Sequence, residues 1–252
     1  ICSRFDMTLF ALGSSVHAVA RHARVLCTES VSWPLITSSS NTRLKLLKKL
    51  HRRSQREKLG LILLEGHRLV LDAFGAGVEP EFVVVRDGAL DASTDAALRR
   101  LGPDRVLRAP AELVDSLSDT ETPQGILAVV PHSPRPLPAA PSLVLVCDEV
   151  RDPGNMGTLL RSAAGAGVGA CLLTPGCCDP WGLKALRAGM GAQWRLPVHA
   201  VGSWSEASQQ LAAWGVAAHA ADAGGRVDHF DVDWRQASAL VVGSEAHGLS
   251  RC

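Results

Sequence analysis

Apolar positions recur at two spacings along this 252-residue chain. Leu44, Leu47 and Leu50 fall three apart within Asn41 to Lys58, the spacing of one helix face, and predict a single amphipathic helix of about five turns. Short apolar runs at Leu61 to Leu64, Phe82 to Val85 and Ile126 to Val130 predict strands, with helices over Glu65 to Ala76 and Asp95 to Leu101 between them. Such alternation describes a small α/β domain, placed at residues 37–131. Pro131, Pro134, Pro136, Pro138 and Pro141 follow closely. Proline lacks the N–H that a helix or central strand needs, so 132–141 reads as a linker.

The second half, residues 142–252, repeats a β-α-β order. Strands are predicted at Leu143 to Cys147, Ala170 to Thr174, Leu196 to Val198, Ala217 to Ala220 and Ala239 to Val242. Between them lie helices starting at Asn155, over Gly182 to Ala188 and over Ser203 to Trp214. This order predicts a parallel sheet with helices on both faces. Ligands of such sheets bind at the carboxyl ends of the strands, which singles out Asp148 to Asn155, Thr174 to Trp181 and Gly243 to Arg251. The run Gly165 to Gly169 precedes a strand instead of following one, so it reads as a helix end and tight turn, not a dinucleotide fingerprint.

Composition narrows the field. A 46% hydrophobic content supplies a core and excludes wholesale disorder, and 26 Lys+Arg against 25 Asp+Glu create no global field. The longest apolar candidate, Leu159 to Thr174, carries Arg161, so no membrane span is expected. Seven cysteines without a C-x-x-C pair fit neither a disulfide framework nor a zinc ribbon, and suggest a reducing compartment. Cys177 and Cys178 read as free thiols, Asp228 to Asp233 as an exposed loop, and no metal site is expected.

Charge is local instead. Asn41 to Lys58 sets eight Lys and Arg against Glu57 alone, a local net of +7 in a chain whose total is +1. That segment is either a solvated helix face or a helix that contacts phosphates of an RNA, through Lys48, Lys49, Arg52 and Arg53 among others. Residues 1–36 are rich in Arg, Ser and Ala and read as an organellar transit segment, with a plain tail or a secretory signal as alternatives. The chain starts at Ile1 and stops at Cys252, which reads as a fragment open at both ends.

Candidate chemistry sits in two loops. In Asp148 to Arg161, Pro153-Gly154 forms a turn, Asn155 suits an N-cap, and Gly157 admits something close to the first helical turn. Asn155 and Arg161 are six apart and need not share a face. In Val241 to Ser250, Gly243 and Gly248 permit backbone approach to a ligand, with Glu245 between them.

Read together, these blocks resemble the SpoU (TrmH-like) branch of the SPOUT RNA ribose methyltransferases. Leu64 to Val70 with Thr122 to Ile126 is similar to the family's small substrate-binding domain. Asp152 to Ala163 is similar to its first motif and Val241 to Ser250 to its second, while Lys184 to Ala192 and Leu196 to Val198 are also family-like. Arg151 to Gly169 and Gly176 to Pro197 resemble the mitochondrial large-subunit rRNA 2'-O-methyltransferases in particular.

The resemblance implies a trefoil-knotted C-terminal domain, a homodimer formed through it, S-adenosylmethionine as cofactor, and methyl transfer to a ribose 2'-hydroxyl. The implied substrate is a guanosine of mitochondrial large-subunit rRNA, and the implied location the mitochondrial matrix. Implied roles are catalytic for Asn155, Arg161 and Glu245, cofactor-binding for Thr174, Gly243, Ser244 and Gly248, and RNA-binding for Lys48, Lys49, Arg52, Arg53 and Arg68. The family's third motif would follow Ser250, so the fragment by itself is expected not to bind cofactor normally. A non-catalytic RNA-binding assembly factor with the same fold is the alternative. A nicotinamide enzyme is disfavoured because no G-x-G-x-x-G follows the first strand of the second half.

Overall fold

The computed structural model describes residues 33–88 and 90–250. The proposed transit segment lies outside them except at its end. There, Trp33 and Ile36 are buried, the Ile36 N–H donates to the Arg108 carbonyl, and the Arg108 N–H donates to the Pro34 carbonyl. Residues 33–36 therefore belong to the folded part, a correction to the boundary at 36.

The first sheet is built from β1 (Leu61–Glu65), β2 (Phe82–Arg86), β3 (Val106–Ala109) and β4 (Ile126–Pro131), in the order β1-β4-β2-β3. β4 runs antiparallel to β1 and β2, while β2 and β3 are parallel. Both faces are covered. Helix α1 (Thr42–Leu50) sinks Leu44, Leu47 and Leu50 into one face, with α5 (Ala111–Asp115) beside it. Helices α3 (His67–Gly75) and α4 (Ala92–Arg99) pack on the other.

The expected single basic helix is two. α1 ends at His51, Arg52 takes an extended backbone with φ −90 and ψ 126, and α2 (Arg53–Leu59) starts afresh. Arg56 accounts for the break. It is 7% exposed, ion-paired with Asp179, and donates to the carbonyls of Leu50 and His51 at 2.8 and 2.9 Å. Those carbonyls stand at the end of α1, where unpaired acceptors favour a cation. β3 and α5 are additions to the sequence reading, since a four-residue strand carrying Arg108 shows too little periodicity to be recognised. α4 starts at Ala92 and not Asp95, because Asp91 accepts from the N–H groups of Ser93 and Thr94.

The second sheet has β5 (Leu143–Cys147), β6 (Ala170–Leu173), β7 (Val198–Ala200), β8 (Ala217–Ala221) and β9 (Ser238–Val242), in the order β7-β6-β5-β9-β8, all parallel. β7 lies two residues later than expected. Leu145 and Cys147 face α6 (Pro153–Gly165), whereas Val144 and Val146 face α8 (Trp204–Ala213), as the β-α-β order requires. α7 (Leu183–Gly189) packs along α6 and also reaches the first sheet: Leu186, Trp181 and Trp194 join the cluster of Ile62, Leu64 and Leu69. Among the described residues no helix is long and apolar enough to cross a membrane.

Candidate active site

The carboxyl ends of β5, β6 and β9 stand side by side, so the loops leaving them meet. At the entry to α6 the cap is Asp152, not Asn155: its Oδ1 accepts from the Asn155 N–H at 2.8 Å and its Oδ2 from Lys184 Nζ at 3.1 Å. The Asn155 N–H, and then Lys184, hold the Asp152 carboxyl below the ordinary range. With the cap filled, the Asn155 side chain is free to act elsewhere, and its Nδ2 donates to Glu245 Oε1 at 2.8 Å. That bond is the main cause holding the Glu245 carboxyl below its usual value. Two candidates 90 residues apart are thus in direct contact on an exposed surface.

Gly157 admits a helix and not a ligand. A Cβ there would lie 2.4 Å from the Ala185 carbonyl oxygen and 2.6 Å from the Ala188 Cβ, so the missing side chain is what lets α7 press against α6. Gly243 is likewise crowded by its own loop. A Cβ would fall 2.3 Å from the Gly248 carbonyl carbon, where Ser244 and Gly248 exchange N–H···O bonds of 2.7 and 2.9 Å. Gly248, at φ +67, has nothing within 4 Å of its Cβ position, so that side of the turn is open, although its N–H and carbonyl are both taken by Ser244. The buried Ser244 turns its hydroxyl inward to accept the N–H groups of Ala246 and His247 at 3.4 Å each.

Thr174, 5% exposed, closes the third side. Its hydroxyl donates to Asp148 Oδ1 at 2.7 Å and accepts the Glu149 N–H at 3.2 Å. Arg161 stands apart from these groups. It lies exposed on α6, about 9 Å along the axis from Asn155 by the rise of six residues, and makes no hydrogen bond or ion pair among the described residues. Cys177 and Cys178 are half-buried free thiols, pushed up by burial to about 12 and about 11, so neither is a thiolate nucleophile at neutral pH. Among the described residues no group of three or more His, Cys, Asp or Glu could hold a metal ion.

Residues 142–252 match the SpoU rRNA Methylase family, and residues 41–128 the MRM3-like substrate binding domain. The 23S rRNA (guanosine(2553)-2'-O)-methyltransferase of Bacillus subtilis is 30% identical over 215 residues, covering 85% of this chain and 84% of that protein. The chain belongs to the SpoU rRNA methylase family. Mouse mitochondrial rRNA methyltransferase 3 is 43% identical over 152 residues, which is 57% of this chain and 36% of the relative, so the chain spans about a third of that protein. An rRNA methyltransferase structure from Sinorhizobium meliloti superposes with a TM-score of 0.73 at 27% identity, over 86% of this chain and 83% of that one. An AdoMet-bound structure from the same organism gives 0.68 at 25% identity, with the same coverage.

Within this SpoU chain the cations expected to meet RNA differ in availability. Lys48 and Lys49 project from the last turn of α1 and Arg52 from the break after it, all exposed. Arg53 is exposed but pairs with Glu57 at 2.7 Å across one helical turn. Arg56, counted among the eight cations of the basic segment, is buried and cannot serve, a correction to that count. Arg68 is exposed on the first turn of α3, at the rim of a cleft of about 180 Å³ that Arg187 and Gln124 also line.

Two buried carboxylates escaped the sequence reading. Glu65, 4% exposed, accepts from the hydroxyls of Ser118 and Thr120, from the Asp119 N–H and from Arg187 at 3.1 Å, joining β1 to α7. Asp148, 3% exposed, joins the loops of the site. The one signal available for either was an acid directly after an apolar strand run, a pattern shared with ordinary surface acids.

Proposed function

We propose that the protein transfers a methyl group from S-adenosylmethionine to a ribose 2'-hydroxyl of RNA, at a guanosine of mitochondrial large-subunit rRNA. The observation that carries this reading is the Asn155–Glu245 contact at the carboxyl ends of three parallel strands of a SpoU chain, with the exposed Arg161 further along the same helix as Asn155. The relatives' names supply the reaction class, and the mitochondrial relatives the compartment, which we assign to the matrix with the residues before 33 as the address. A homodimer through residues 142–252 and a trefoil knot in that domain complete the proposal.

The space beside this turn fits the cofactor. Gly248 has nothing within 4 Å of its Cβ position, and Thr174, Gly243 and Ser244 stand near it at the ends of β6 and β9. When bound there, S-adenosylmethionine supplies a methyl on a cationic sulfonium. The chain's own residues have distinct tasks. Arg161 is a permanent cation with five donors and no acceptor, so it is not the base. It holds the phosphate next to the target ribose and offsets the negative charge that develops on the 2'-oxygen. Asn155 orients Glu245 through the amide bond, and both border the space the ribose enters. The exposed cations Lys48, Lys49, Arg52, Arg53 and Arg68 hold RNA phosphates, and no RNA-stacking role is assigned to aromatic side chains, which are few.

The test is transfer of labelled methyl from S-adenosylmethionine to mitochondrial large-subunit rRNA, with the modified ribose mapped. Arg161→Ala should lower single-turnover methylation by about a hundredfold or more. If Arg161→Lys retains near-full rate, planar bidentate contact is not its role. Cofactor-independent RNA binding without methyl transfer from a C-terminally extended chain would favour the assembly-factor reading instead.

A further inference from the structure

Asp148 sits where β5 ends, 3% exposed, with both carboxylate oxygens engaged. Oδ1 accepts the Thr174 hydroxyl at 2.7 Å, and Oδ2 accepts the Ser250 N–H at 2.6 Å. Thr174 begins the loop after β6, and Ser250 closes the loop after β9 that carries Glu245 and the Ser244–Gly248 bridge. Thr174 also takes the N–H of Glu149, a non-glycine residue held at φ +53. A single buried carboxylate thus ties the ends of three strands whose loops carry the candidate catalytic and cofactor-binding residues.

We infer that Asp148 is a positioning residue, which holds the 243–250 loop in the register that presents Glu245 to Asn155 and sets the Ser244–Gly248 turn beside the cofactor. The inference rests on the proposed function. Its physical basis is that a buried carboxylate gains most from donors that cannot leave, and that losing it strands a buried hydroxyl and a part-buried N–H. Burial raises the Asp148 carboxyl, but the Ser250 N–H and the Thr174 hydroxyl outweigh it and the net shift is downward. A carboxyl lowered in the folded state contributes stability above its unfolded value and loses it only as pH falls through the lower folded value. The tie therefore survives into acid below the range where exposed carboxylates protonate.

Asp148→Asn turns an acceptor into an NH2 donor facing either the Ser250 N–H or the Thr174 hydroxyl. Thr174→Val removes one of the two bonds and keeps the shape, and serves as the second variant should Asp148→Asn fail to fold. Two quantities are read on wild-type and variant chains extended at the C-terminus: amide hydrogen exchange at Gly248 and Ser250, and the Kd of S-adenosylmethionine by calorimetry. Exchange should accelerate and Kd should rise, each by about tenfold, the effect of one stranded buried donor, while affinity for rRNA stays within twofold. Faster exchange with unchanged cofactor affinity would make Asp148 a structural tie only and overturn the inference, as would unchanged exchange in both variants. Wild-type chain that binds no S-adenosylmethionine would instead count against the proposed function, and the positioning role would fall with it.

Discussion

In the first sheet β4 runs antiparallel to β1 and β2 while β2 and β3 are parallel, so strand ends of both polarities share each rim; in the second all five strands run the same way and every loop that follows a strand emerges at one edge. The first sheet is covered on both faces by its own helices and by α7, and the cations of α1 and α2 other than Arg56 lie toward the outside. The second leaves one rim for polar groups to gather: Asp148, Thr174, Asn155 and Glu245 are bonded in pairs there, whereas the first sheet scatters its polar contacts, around Glu65, His67 and Arg86 among others. Parallel topology concentrates loops, and concentrated loops make a site. Mixed topology makes a platform, whose surface charge is left to meet a partner.

This contrast can be broken at either end. Leu47→Ala, at a fully buried position beneath the first sheet, should cost about 2–5 kcal/mol in urea unfolding while methyl transfer per folded molecule is kept. A parallel fall in the activity of folded protein would mean the platform is not separable from the site. Gly157→Ala places a Cβ against α7 and should cost about 1–3 kcal/mol by overpacking. Because α6 carries Asn155 and Arg161, this variant should also slow transfer in the molecules that remain folded, which Leu47→Ala does not do. Neutralising Lys48, Lys49, Arg52 and Arg53 together should weaken RNA binding and flatten its salt dependence by roughly 0.7–0.9 in log–log slope for each phosphate that is no longer neutralised. An unchanged slope would return α1 and α2 to plain solvated faces. Smallest of all, Glu57→Gln should change stability by no more than about 0.5 kcal/mol, since the Arg53–Glu57 pair is exposed, and should leave Arg53 freer to meet phosphate.

Much of the fold is legible in the chain because most of its strands are largely apolar runs and its turns carry proline and glycine. Leu143 to Cys147 and Leu61 to Leu64 need no tertiary information to be recognised. The basic segment misleads for a related reason: Leu44, Leu47 and Leu50 fix a helix face, but nothing local says that Arg56 turns inward to Asp179 and breaks the helix before it. Asn155 suits a cap by residue type, yet Asp152 takes the place because its side chain reaches the Asn155 N–H.

Residue types and their order were enough to determine the two α/β halves, the charged segment, the family resemblance and the candidates Asn155, Arg161 and Glu245. Hydrophobic period and motif spacing are local properties, and they are written in the order of the residues. Tertiary structure alone decided that Asn155 meets Glu245, that Gly157 and Gly243 make room for the protein's own backbone, that Arg56 is withdrawn from the surface, and that Asp148 joins three loops. Most of these join segments far apart in the chain, and which buried polar group finds which partner depends on how the strands are ordered in the sheet, not on the neighbours of either residue.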